Sequence, residues 1–535
     1  MNTSKTITFF AAALTAASTA FGWGQGHLTV ARATLRVLPG AWGERLRTDE
    51  ASKLFLMACE EPDRSKPIRE RAEFLDEEIR AALDGNGKTS TYVFHGARER
   101  CELICALARA MKRDDLRRAA YLLGCFNHSA ADTASANHSP LIQLVTYNWY
   151  ALGLKGGVQT DCAALDGSPA GRRILTDAVD AVDRTPPDAS PSAVFAACYA
   201  DEVRGTSFYR YDIDIVEGGE PALKAFAAEA AYAVRRTIEA LLAAEAFSKL
   251  PEVPAFDVRA VSALAKKASH EFLAKRPIGD DALTRGLVPA AGETPEIGVI
   301  YDPTGFWTGG IVYMANRSFA AQVCTTLRKS HKAGLLDIRS VMRDGVPAGV
   351  RTVVFPATGF NPDMTTRGFP SADVVKALAE YVKRGGRLVW IGGRPVPPDA
   401  IFPESRKFAK NPVPGKWAHM IGPEATDRMP GARLVLPDGR DFTCRRPPKG
   451  GAGWYWGQFN LAFIPPQTLP EGGRETLSYV SKDGQRTLVG YTVGNRAYLP
   501  AFALYPYVFT DEKPCCRPLK LELDAAGAAI LESVL

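Results

Sequence analysis

Apolar residues recur at i, i+3 and i+4 through most of the first half of the chain. The spacing predicts helices over His27–Leu38, Glu50–Cys59, Ile68–Leu83, Arg98–Met111, Leu116–Asn127, Leu141–Leu152, Arg172–Val182, Ala193–Val203, Pro221–Phe247 and Val258–Ala274. An all-α domain over residues 23–276 follows. The polar, Pro- and Gly-containing stretch at 277–294 reads as a linker. Beyond it the period changes. Glu296–Tyr301, Asp337–Val341, Thr352–Pro356 and Arg387–Gly392 read as strands, with helices over Phe319–Gly334 and Ser371–Gly385. Strands alternating with helices predict a parallel, doubly wound α/β sheet over 295–535. From about Pro412 the pattern is β-rich. Arg486–Tyr491 and Arg496–Ala501 form a hairpin around Val493-Gly494-Asn495, and Leu519–Leu535 returns to a strand and short helix.

The first 22 residues belong to neither domain. Lys5 supplies a basic start, Ile7 to Phe21 is apolar and Ala-rich, and Ala20-Phe21-Gly22 places small residues where a signal peptidase reads them. Residues 1–22 are therefore expected to be a signal peptide, the mature chain to begin at Trp23, and the protein to be secreted or periplasmic. No stretch approaches the ~20 apolar residues of a spanning helix. Composition adds little: 535 residues, 46% hydrophobic and 23% charged, are globular material for several domains. A net charge of +6 permits attraction to phosphates without marking a nucleic-acid face. The ten cysteines form no paired zinc ribbon. Cys101 and Cys105 stand at i, i+4 in a helical pattern, Cys515 and Cys516 are adjacent, and all read as buried or bridged.

The histidines carry the candidate chemistry. Of seven, His27, His95, His128 and His138 fall early in the mature chain, while His270, His331 and His419 are scattered. His128 and Asp132 stand at i, i+4 and so share a helical face. His138 follows six residues later, where the chain can turn back. Imidazole and carboxylate suit zinc, and a carboxylate can bridge two ions with its two oxygens. A free amino group at Trp23, four residues before His27, would be one more ligand.

Trp23-Gly24-Gln25-Gly26-His27, Pro62-Asp63-Arg64, Val93-Phe94-His95 and His128 with Asp132 and His138 together resemble zinc-dependent phospholipase C and the related single-strand-specific zinc nucleases. The resemblance covers 23–276 and implies an α-helical phosphoester hydrolase with two or three zinc ions. It implies that Asp63, His95, His128 and Asp132 hold one ion. Trp23, through its amino and carbonyl groups, holds another with His27 and the shared Asp132. Asp63 and Asp132 are then the catalytic carboxylates, with Asp63 a candidate general base. The chain departs from that family in two places. Ser135-Ala136-Asn137 stands where Gln-Pro is usual before His138. The downstream His-x-x-x-Glu or His-x-x-x-Asp that completes a third site is missing, and His270 is followed by Glu271 rather than by an i+4 partner. Cys198 and Glu202, at i, i+4, could substitute with thiolate and carboxylate; the alternative is that Cys198 packs in the core.

The segment Glu296–Pro395 resembles the flavodoxin-like, class I glutamine-amidotransferase-like domains that accompany some secreted glycosidases. Asp337-Ile338-Arg339-Ser340-Val341, Thr352-Val353-Val354-Phe355-Pro356 and Leu378–Gly393, with its Tyr381-Val382-Lys383-Arg384-Gly385-Gly386-Arg387-Leu388-Val389-Trp390-Ile391-Gly392-Gly393, carry the likeness. Amidotransferase chemistry needs a cysteine after such a strand, but Ala357-Thr358-Gly359-Phe360 follows Pro356, and Cys324 lies within an expected helix. This half therefore reads as a binding or assembly domain. Trp454, Tyr455 and Trp456 in Gly-rich sequence would suit carbohydrate stacking or core packing. Two functions remain in view: a secreted phosphoester hydrolase acting on phospholipid or single-stranded nucleic acid, and a surface-binding scaffold keeping a structural metal cluster.

Overall fold

The fold is a computed structural model that describes residues 25–63, 72–75, 95–136, 142, 160–255, 261, 284–302, 316–357, 372–392, 401–404, 433–443, 469–499, 522–523 and 525–535. They fall into two compact units, the first holding 25–136 and 160–261, the second 142 and 284–535. The signal segment, Trp23, the expected helices Leu141–Leu152 and Val258–Ala274 apart from single residues, Ile68–Leu83 apart from a short 3-10 turn, and the Trp454-Tyr455-Trp456 run lie outside the described residues.

The first unit is helical: α1 (Gln25–Val37), α2 (Gly40–Leu46), α3 (Asp49–Ala58), α4 (Ala97–Lys112), α5 (Leu116–Ala134), α6 (Pro169–Asp180), α7 (Pro191–Gly205), α8 (Asp212–Glu217) and α9 (Gly219–Ser248). α5 is its axis, buried without interruption from Ala119 to Asp132 and packed against α3, α4 and α9. Asp115 starts it by accepting a hydrogen bond from the Arg118 amide at 3.0 Å. α5 runs past its expected end at Asn127 because Asn127, His128, Ser129 and Asp132 are buried polar residues, so an apolar periodicity cannot register them. Gly124 permits the crossing with α3. A Cβ there would stand 2.4 Å from the Phe55 carbonyl oxygen and 2.8 Å from the Ala58 Cβ. The many alanines of α9 likewise let it lie close along α5 and α4 over thirty residues.

The second unit is built on one nine-stranded sheet of order β2-β1-β3-β4-β9-β8-β7-β5-β6. Its strands are β1 (Ile297–Tyr301), β2 (Ala333–Asp337), β3 (Thr352–Ala357), β4 (Arg387–Gly392), β5 (Arg433–Val435), β6 (Asp441–Thr443), β7 (Gly473–Val480), β8 (Arg486–Val493) and β9 (Arg496–Leu499). The first five in that order are parallel and the rest antiparallel. Helices α10 (Asn316–Leu327), α11 (Ile338–Asp344), α12 (Ala372–Lys383) and α13 (Ala525–Glu532) accompany it. One core joins both parts of the sheet: Val299, Val354, Val389 and Ile391 share it with Leu434, Leu477, Val489 and Leu499, and with Ile530 and Leu531 of α13.

Two expectations shift here. The strand expected at Asp337–Val341 is Ala333–Asp337, and the residues that follow are α11. Leu335 and Leu336 pair in register with Val299 and Ile300. The Asp337 carboxylate accepts from the Arg339 amide at 2.9 Å, capping α11. The helix expected to reach Gly334 stops at Leu327 accordingly. The hairpin stands as expected, with Val493 paired to Arg496 and Gly494 at φ 57° supplying its turn. Asn495 Nδ2 donates to the carbonyls of Val382 and Gly386 at 2.9 and 2.7 Å, which fastens that turn beside β4. The described end of the linker joins this unit, since the Leu287 carbonyl accepts from the Leu335 amide at 2.9 Å. Among the described residues no helix is long and apolar enough to cross a membrane.

Candidate metal centre

Three stretches of the helical unit meet at one point. α5 presents His128 and Asp132 on one face, the turn after α3 presents Asp63, and His95 lies two residues before α4, next to its N-cap Gly96. Nε2 of His95 stands 2.9 Å from Asp132 Oδ2 and 3.3 Å from Asp63 Oδ1. Nε2 of His128 stands 3.5 Å from Asp132 Oδ2 and 3.6 Å from Asp63 Oδ1. The two Nε2 atoms are 3.2 Å apart. Four ligands at roughly 2.0–2.1 Å from a tetrahedral zinc are separated by about 3.3–3.4 Å from one another. The distances scatter about that edge length, so the donor set could hold a metal ion. Among the described residues, these four form the group able to hold a metal ion.

The carboxylate of Asp132 faces two ways. Oδ2 belongs to the tetrad, while Oδ1 is buried without a hydrogen bond and lies 3.3 Å from Nε2 of His27 on α1. The His27 ring is stacked on that of His128 with centroids 3.9 Å apart.

Neighbouring groups fix the ligands. His128 Nδ1 stands 2.8 Å from the Cys59 carbonyl. A carbonyl only accepts, so Nδ1 carries the hydrogen, and in the neutral ring Nε2 keeps its lone pair turned toward the tetrad. Asn127, next in sequence, ties the surrounding helices together. Its Nδ2 donates to Thr34 on α1 at 2.9 Å and to Thr237 on α9 at 3.0 Å, and its Oδ1 accepts from the Cys59 thiol at 3.3 Å. The buried guanidinium of Arg100 donates from Nη1 to the His95 carbonyl at 3.0 Å and from Nη2 to the Cys198 carbonyl at 3.0 Å. Periodicity did not single out Cys59, Arg100 or Asn127 as site residues. Asn127 was visible only as a polar residue beside His128.

Charge is balanced within the cluster. Burial opposes ionisation of Asp63 and Asp132, yet hydrogen bonds from the histidines hold both carboxyls well below the usual carboxylate range. Burial likewise opposes the charged imidazoles, but Asp132 and Asp63 carry His95 up to about 10 and His128 up to about 9. His27 is pushed down by burial and by the nearby His128.

Of the sequence-derived candidates, Asp63, His95, His128 and Asp132 therefore come together, with His27 against the far oxygen of Asp132. Trp23, His138 and the Glu202 side chain lie outside the described residues. Cys198 is not in the cluster. It is a free cysteine, fully buried on α7, whose carbonyl accepts from Nη2 of Arg100 at 3.0 Å. In the sheet unit Cys324 is buried within α10, in the core beneath the sheet. Comparison of the chain with protein-family models, with curated proteins and with solved structures finds no match.

Proposed function

We propose that the protein is an exported zinc-dependent phosphoester hydrolase, similar to phospholipase C, whose helical unit carries the active site. The observation that carries this reading is the tetrad of Asp63, His95, His128 and Asp132, with ligand separations of 2.9–3.6 Å that match tetrahedral zinc. His27 on the second oxygen of Asp132 supports a bridged pair of ions completed by the amino terminus at Trp23. His138 belongs to a third site with Cys198 and Glu202 only if Cys198 turns out of the helix contact in which it is buried. Zinc in such a site supplies Lewis acidity and lowers the pKa of water near it. The residues do the rest. Asp132 fixes the spacing of the two positions, His95 and His128 hold their Nε2 lone pairs inward, and Asp63 takes the proton of the attacking water on its carboxylate. Asp63 suits that role because its side chain remains 20% exposed while that of Asp132 is 9% exposed.

The parallel order β2-β1-β3-β4-β9 supports a flavodoxin-like, amidotransferase-like accessory unit. We assign it a binding role, toward carbohydrate or protein.

The test is hydrolysis of bis(p-nitrophenyl) phosphate, phosphatidylcholine vesicles and single-stranded DNA by the full mature chain with zinc. Turnover is expected on the phosphodiester reporter, with head-group release exceeding DNA cleavage. The Asp132→Asn variant should lose about 1000-fold, the scale of removing one group that stabilises transition-state charge. Cleavage of DNA alone would move the assignment to the nuclease. Tight zinc without turnover on any substrate would replace the hydrolase with the scaffold.

A further inference from the structure

A half-open cavity of about 220 Å³ lies between α7 and α9, against α4 and α5. Ile104, Phe126, Val194, Ala197 and Ala240 give it an apolar lining. Two guanidinium groups line the same space, Arg204 from α7 and Arg236 from α9. Arg236 is only 8% exposed. It donates from Nε to Asp201 Oδ2 at 2.8 Å and from Nη1 to Glu239, which leaves Nη2 without an acceptor among the described residues. The nearby carboxylates are engaged elsewhere. Asp201 Oδ1 accepts from the Tyr232 hydroxyl at 2.8 Å, and Glu239 Oε1 accepts from Arg235 Nε at 2.5 Å. Nη1 of Arg204 lies 3.9 Å from Asp201 Oδ1, beyond hydrogen-bond reach. Arg204 therefore brings a full set of N–H donors to the cavity with no protein acceptor among the described residues.

We propose that this cavity is a second binding site, for a small monocarboxylate with an apolar body. The carboxylate accepts from the guanidinium of Arg204 and from Nη2 of Arg236, and the body of the ligand lies against Ile104, Phe126 and Val194. Each half of the lining excludes a class of ligand. A guanidinium fork matches the two oxygens of a carboxylate, and an ammonium ligand would meet like charge there. An inorganic anion would leave the apolar lining in water, without the gain from its burial. Size narrows the class further. At about 220 Å³ the space falls below the ~300 Å³ at which pockets for drug-sized ligands begin, so the ligand is of the size of benzoate rather than of a lipid. Asp188, the remaining acid along the cavity, is exposed and turns Oδ1 to the Ser190 amide at 2.9 Å. Water and salt screen its charge from the bound anion. The site shares no side chain with the metal cluster and does not depend on the proposed hydrolysis.

Isothermal titration of the full chain, loaded with zinc and again after chelation, measures binding of benzoate, benzyl alcohol and inorganic phosphate. One benzoate per chain is expected, with a dissociation constant on the order of 0.1–1 mM for so small a ligand and the same value in both metal states. Benzyl alcohol and phosphate should each bind at least about tenfold more weakly, since each satisfies one half of the site. Arg204→Met should weaken benzoate roughly 10- to 100-fold, the scale of a charge-assisted pair. Ala197→Leu fills the space without removing a charge and should weaken it as well. Arg236 is kept, because it ties α9 to Asp201. Crystals of the wild-type protein soaked in 4-bromobenzoate should show the bromine anomalous peak among Ile104, Phe126 and Val194, which decides the matter even where a variant fails to fold. Phosphate binding as tightly as benzoate, benzoate affinity lost on chelation while the fold stays intact, or a bromine peak elsewhere overturns the proposal.

Discussion

A single hydrogen bond commits His128. With Nδ1 donating to the Cys59 carbonyl, Nε2 is the one nitrogen left for the cluster, and it meets His95 Nε2 at 3.2 Å. The carboxylates of Asp63 and Asp132 flank both nitrogens and stabilise a proton on each. The raised pKa values, about 10 for His95 and about 9 for His128, have opposite consequences in the two states of the site. Without metal, the histidines contribute stability that is full below the unfolded value of about 6.5 and lost as pH rises through about 9 to 10. Metal uptake must expel the same protons, so zinc affinity should climb with pH, by roughly 10- to 100-fold per unit between pH 7 and 9 for one to two protons released. Calorimetry in buffers of different ionisation enthalpy reads that release directly. An affinity flat across this range would mean that the histidines are already neutral, contrary to the charge balance described.

At the scale of elements, the site depends on how closely α5 crosses α3. Gly124 lies one turn before His128 on α5, and α3 leads directly into Asp63. The crossing that leaves no room for a Cβ at Gly124 therefore also brings Asp63 to the histidines. Gly124→Val should cost about 3 kcal/mol in urea unfolding, the upper range for overpacking a close contact, and should weaken zinc binding along with it. An unchanged unfolding midpoint would show that the helices separate without penalty.

The sequence exposes these elements unevenly, and for physical reasons. α1, α3, α4, α6, α7 and α9 follow apolar stripes, and β1, β3 and β4 follow apolar runs bounded by turns. The boundary between β2 and α11 does not, because Leu335, Leu336, Ile338 and Val341 form one apolar stretch that only the Asp337 cap divides. Within the site, His128 and Asp132 are legible from i, i+4 spacing. The bonds of Asn127 to Thr34 and Thr237 span 93 and 110 residues, and no local pattern encodes contacts at such range. Cys198 is readable as an i, i+4 ligand with Glu202 but is buried away from the four-residue cluster, because the spacing fixes a face of α7 and not what that face meets.

Over the whole molecule, the two units differ in what they bury. The helical unit gathers buried carboxylates and imidazoles at one point and ties them to the surrounding helices through the Cys59 carbonyl and the guanidinium of Arg100. The sheet unit spends its interior on apolar packing that runs from the parallel strands into the antiparallel ones, and its buried cysteine among the described residues, Cys324, is part of that packing. Under the proposed function, chemistry falls to the first unit and attachment to the second. The central claim is that four side chains drawn from α5 and from the residues flanking α3 and α4 form a zinc site. Diffraction from zinc-grown crystals on either side of the zinc absorption edge tests it most directly. The account predicts an anomalous peak about 2.0–2.2 Å from Asp63 Oδ1, His95 Nε2, His128 Nε2 and Asp132 Oδ2, with a second between Asp132 Oδ1 and His27. A map with excess zinc and no peak among those four atoms would contradict it.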